Sequence, residues 1–246
     1  VFAAVLVSGL LFIPCAEAAE LSVVLARHVD GSGRVDYAAA AADEELEALV
    51  TALATASEPS DPAPKMAFWL NAYNVLTVDL VADHWPLASI RDLDDGNPWD
   101  ARKFSVAGRE VTLNDIEHRI LRPLGDARIH AAVNCASMGC PPLSPTPFTG
   151  AGLDAELNGA SARWASSTGI VVNQEEGTVA LNKIFDWYGD DFVPGAKGDV
   201  PGVEGKQDAA IQFLAGHLSQ ATADWLMAGG YTVSWADYSW RVNAKK

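Results

Sequence analysis

The chain predicts an α+β fold, a small antiparallel sheet packed with helices, on three observations. Helical and strand-like segments alternate irregularly along 246 residues. Neighbouring strand-like segments are joined by tight turns, which suit antiparallel pairing, whereas parallel pairing needs crossovers of a dozen residues or more. No Gly-x-Gly-x-x-Gly motif, Walker-type lysine loop or internal repeat interrupts this pattern. A composition of 49% hydrophobic and 20% charged residues with 8 tryptophans describes a folded chain, and the length suits one domain.

Residues 1–14, VFAAVLVSGLLFIP, carry no charge and read as the apolar core of a signal peptide, followed by an A-x-A site at Ala16-Glu17-Ala18. The expected organisation is a signal peptide over 1–19 and a single α+β domain over 20–246. A periplasmic or secreted location follows. Formal charge is −15, and a surface so acidic disfavours nucleic acid and anionic lipid as partners. No stable membrane insertion is expected after processing.

The elements follow in order. Leu21 to Val29 has helical apolar spacing and is closed by Gly31 and Gly33; Val35 to Tyr37 is a short extended piece. Asp43 to Ala54 is a helix with Leu46, Leu49, Val50 and Leu53 on one stripe and acids in its first turn. Ser57 to Pro64 reads as a linker. Lys65 to Asp83 is apolar nearly all round and is expected to be the central, buried helix, with Asn71 and Asn74 needing hydrogen-bond partners inside it. A polar loop, Ile90 to Asp100, leads to a hairpin of 104–106 and 109–111 turned at Ala107-Gly108. Thr112 caps a helix over 113–122, with Asp115 at the third position giving an approximate capping box. Arg128 to Val133 reads as a strand. After the loop from Gly139 to Gly152 come a helix, Leu153 to Ser166, a second hairpin of 170–172 and 178–181, a short helix from Asn182 to Tyr188, an exposed loop from Gly195 to Gly205, helices over 207–218 and 222–228, and a closing strand from Tyr231 to Trp240.

Candidate chemistry concentrates between Thr112 and Leu143. Glu117 lies on the apolar face of its helix, His118 one position on, and His130 on the strand facing the same way as Arg128. Cys135 follows where the chain turns, and a cysteine there sees backbone N–H groups that lower its pKa. With a histidine beside it, it becomes a nucleophile. Two readings compete for the same atoms: a local Cys135–Cys140 disulfide, suited to an exported protein, and a zinc site built from His118, His130, Cys135 and Cys140. In the segment Phe185 to Phe192, the aromatic side chains suit a core and the aspartates suit solvent, while Asp186 and Trp187 are also candidates for a cleft rim.

The segments FWLNAYNVLT (68–77), LNDIEHRILR (113–122), DARIHAAVNCASMGCPPL (126–143), IFDWYGDDF (184–192) and YSWRVN (238–243) resemble the family called domain of unknown function 547. That family is in turn distantly similar to papain-like and transglutaminase-like thiol hydrolases, which implies a permuted papain-like arrangement with the histidine before the cysteine. The resemblance places Glu117, His118, Arg122, His130 and Cys135 at recurrent positions.

The leading expectation is a thiol-dependent hydrolase or acyl transferase acting on a peptide or small-molecule amide, isopeptide or thioester, without a cofactor. Cys135 attacks, His130 is the base with His118 as alternative, and Glu117 or Asn71 orients the imidazole. Asn74, Arg122, Arg128, Asp186 and Trp187 are the candidate substrate contacts. The alternatives are a non-enzymatic periplasmic binding or scaffold domain closed by a Cys135–Cys140 bridge, and a zinc-dependent hydrolase.

Overall fold

In the computed structural model, which describes residues 14–245, one helix organises the rest. It runs from Pro62 to Asp83, and Trp69, Leu70, Tyr73, Leu76 and Val81 on several of its faces are fully buried. An all-round apolar sequence can be covered only when elements pack on every side, so this helix becomes the core axis. It starts three residues earlier than its apolar run, because Pro62 at the first turn needs no N–H partner. The expected linker is correspondingly shorter.

Helices Pro14–His28 and Glu44–Leu53 cover one flank. Asp43 caps the second by accepting from the Glu45 amide. Residues 1–13, and with them most of the expected signal-peptide core, lie outside the described residues. Among the described residues no helix is long and apolar enough to cross a membrane.

The strands form two small sheets. In the first, Phe104–Val106 pairs antiparallel with Arg109–Val111 across Ala107-Gly108, both at positive φ (50° and 72°), the conformation that matches a two-residue hairpin to strand twist. The second holds Ile170–Asn173 antiparallel to Thr178–Leu181, and the latter parallel to Thr232–Trp235. The sheet is therefore mixed and not purely antiparallel. The chain between the last two strands, which includes the helices Gly205–Ala215 and Gln220–Ala228, supplies the crossover that parallel pairing needs.

Two sequence expectations fail here. Arg128 to Val133 is not a strand: Ile129–Ala132 is one helical turn. Gly125 turns the chain at φ 78°, and the Asp126 carboxylate accepts from both the Arg128 amide (3.0 Å) and its guanidinium (2.6 Å), which winds the backbone. Ile129, His130, Ala131 and Ala132 are all buried, so the face-sharing of Arg128 and His130 expected of a strand does not arise. The closing strand also ends early, at Trp235. From there to Ala244 the chain is an irregular strap. It is pinned to the N-terminal turn through Tyr37 Oη–Asn243 Oδ1 (2.6 Å), and to the Cys135–Cys140 loop through Met138 N–Arg241 O (2.7 Å) and Gly139 N–Ser239 O (2.9 Å).

Candidate functional site: an aromatic cleft walled by a disulfide

Cys135 and Cys140 are joined in a disulfide. This overturns the expected nucleophile: a sulfur already bonded to sulfur is no thiolate, so the thiol-hydrolase and acyl-transferase reading falls. The zinc reading falls with it, because two of its four ligands are consumed; among the described residues no group of three or more His, Cys, Asp or Glu side chains is arranged to hold a metal.

The bridge forms part of the wall of a cleft of about 250 Å³. Behind it stands the C-terminal strap. Tyr238 Oη lies 3.2 Å from both sulfurs and 2.9 Å from Ser137 Oγ. The Tyr238 ring rests on Gly139, where an added Cβ would come within 2.7 Å of it, so the ring's seat requires glycine. Burial pushes the Tyr238 hydroxyl pKa up and keeps it a neutral hydrogen-bonding group.

From Tyr238 the wall continues as packed rings. Trp187, Tyr238 and Trp240 lie with centroids 4.6–5.8 Å apart, and Trp99 meets Trp240 at 5.7 Å. Trp187 is 42% exposed at the rim, a large apolar surface left open to water.

Opposite, Glu117, His130 and Tyr73 line the floor. Glu117 sits in a π-helical stretch, Ile116–Leu121, continuing the helical turn that the Thr112/Asp115 capping box starts. Such widened turns re-aim side chains and recur at functional positions. His130 stacks on Tyr188 (4.5 Å, 23°) and gives its Nε2–H to Asp191 at 2.7 Å. Arg122 grips the same carboxylate with two bonds of 2.6 and 2.9 Å. The hydrogen bond from His130, then those from Arg122, hold the Asp191 carboxyl well below the usual carboxylate range. On its other side His130 Nδ1 is 3.8 Å from Glu117 Oε1, beyond hydrogen-bond reach.

Four of the expected site residues therefore meet at the cleft: Glu117, His130, Cys135 and Trp187. The others are engaged elsewhere. Asn71 exchanges two bonds with the Phe148 backbone (2.8 and 2.9 Å), and Asn74 clamps Ala132 O and Asn134 N (2.9 Å each). Both amides fasten loops to the central helix. His118 Nδ1 accepts from Arg122 (2.8 Å), Arg128 is tied to Asp126 and Asp154, and Asp186 pairs with Lys183 (2.7 Å). Sequence reasoning missed Asp191, assigned to solvent, and Tyr238 and Trp240, assigned to a strand. An acid flanked by aromatics, Tyr188 and Phe192, was the available signal for the first.

Residues 58–164 match the family model described as Protein of unknown function, DUF547. The matched stretch contains the central helix, the Glu117 stretch, His130, Cys135 and Cys140, while Trp187, Asp191 and the strap lie beyond it. No curated protein and no solved structure matches the chain.

Proposed function

We propose that the chain is an exported binding domain that holds a small organic ligand in the aromatic cleft. The observation that carries this reading is the disulfide within the cleft wall: it removes the thiol chemistry and braces the loop against the strap. Ligand sites are concave, mostly apolar and furnished with a few placed polar groups, and this cleft has that character. Its polar groups are held by neighbours before any ligand arrives, His130 by Asp191 and the Tyr188 ring, and Tyr238 on the bridge. Preorganisation of this kind lowers the entropy cost of binding. Export is supported by the apolar leader and by a disulfide, which persists in oxidising compartments.

A crystallographic fragment screen tests the proposal. Fragments are expected to collect between Trp187 and Glu117. A screen that yields hits elsewhere on the surface and leaves this cleft empty overturns it.

A further inference from the structure

Glu117 is the least satisfied carboxylate of the cleft. Its side chain is 10% exposed, yet its contacts are long or weak: the Tyr73 hydroxyl at 3.5 Å, the Tyr188 hydroxyl, and His130 Nδ1 at 3.8 Å. A buried carboxylate ordinarily takes several short hydrogen bonds, because the desolvated charge is costly without them. Here it faces a cavity instead.

One other acidic residue of the lining adds to that charge. Asp100 contributes a second carboxylate, to which Asn97 and Asn114 donate their amide N–H groups (3.0 and 2.6 Å), leaving their amide oxygens as acceptors. Among the described residues no lysine or arginine lines the cleft. The nearest guanidinium of the floor, Arg122, is spent on Asp191. Around the floor, the three carboxylates of Asp100, Glu117 and Asp191 outnumber Arg122 and His130, so these five groups carry net negative charge even with the imidazole protonated. The tyrosines record this field: burial first, and then the Glu117 charge, raise the hydroxyl pKa of both Tyr73 and Tyr188. Ring faces add to it, since their quadrupoles attract cations. Arg91 already stands over Trp240 at 5.1 Å.

From this geometry we propose that the ligand is an amine carrying an apolar or aromatic body, its ammonium placed at Glu117 and its body against Trp187 and Tyr238. This rests on the binding reading above and adds the chemical class. The ammonium adds a charge-assisted donor to a carboxylate whose tyrosine hydrogen bond is long.

Three probes of one size separate the possibilities: 2-phenylethylamine as cation, 2-phenylethanol as neutral counterpart and 3-phenylpropanoate as anion, titrated calorimetrically into the oxidised protein. The amine is expected to bind about ten- to a hundredfold more tightly than the alcohol, and the anion not measurably. Glu117→Gln is expected to remove the preference of amine over alcohol while leaving alcohol affinity in place. Because Glu117 is buried, Asp100→Asn and Trp187→Ala at the rim provide variants with little risk to folding; the first is expected to lower amine affinity selectively, the second to weaken both ligands. Equal affinities for amine and alcohol overturn the cation inference and leave the binding reading standing. If none of the three binds, the inference fails as well, and the fragment screen then decides the binding reading separately.

Discussion

Removing the disulfide by a Cys135→Ser/Cys140→Ser double substitution yields a magnitude that can be worked from the structure. The cysteines are separated by 5 positions, so the bridge closes a loop of about six residues, and the chain-entropy relation assigns that loop about 7 cal/mol/K, or about 2 kcal/mol at 25 °C. The short loop keeps this at the low end for a disulfide. Packing adds little, because serine fills nearly the same space and the Tyr238 hydroxyl retains Ser137 as a partner at 2.9 Å. For a domain of this length, about 2 kcal/mol corresponds to a fall in Tm of about 4–8 °C. Urea unfolding of the oxidised wild type, the reduced wild type and the double variant measures it directly. The last two should coincide, with midpoints below the first and an unchanged slope. A double variant as stable as the oxidised protein would refute the assignment of the bridge as a structural brace.

Asn74→Ala removes the partner of Ala132 O and Asn134 N at once; two buried backbone groups left unpaired should cost about 2–5 kcal/mol, read by the same unfolding assay. Gly139→Ala should displace the Tyr238 ring, with a loss of about 1–3 kcal/mol from overpacking and weaker binding of 2-phenylethanol in calorimetry. Asp79 has its pKa raised to about 6 by burial, and then by Asp83 and Glu47. An acid whose folded pKa is raised binds more protons in the folded state, so its contribution is favourable below about pH 4 and is lost as pH rises through about 6. Asp79→Asn should therefore stabilise the protein at pH 8, on the order of 1 kcal/mol after solvent screening, with the gain gone at pH 4. Thermal melts across that range check both the size and the sign.

Much of the scaffold was legible in the sequence because it rests on local rules. The all-round apolar run of the central helix, the Asp43 and Thr112 caps and the Ala107-Gly108 turn each act within a few residues, and each is present. Periodicity failed where burial is complete: Ile129 to Ala132 has no exposed position to mark a strand or a helix, and the Asp126 side chain decided the matter. The parallel partner of Thr178–Leu181 was hidden because it arrives from some fifty residues away through two helices. Glu117, His130 and Trp187, which line the cleft, were singled out from residue type and position. Tyr238 and Asp191 were not, since each reaches the cleft through tertiary contacts, the first across 98 or more positions to the cysteines and the second across 61 to His130. The cysteine pair shows the same limit from the other side. Spacing left a free thiol and a bridge both open, and only the placement of the two sulfurs separates them.

The state of those two sulfurs is the most direct test of the whole account. Alkylating the purified, denatured protein without reductant and mapping its peptides should recover Cys135 and Cys140 linked to each other and unmodified. Recovery of both residues as alkylated thiols would contradict it, because the cleft wall would then carry free thiols and no covalent brace.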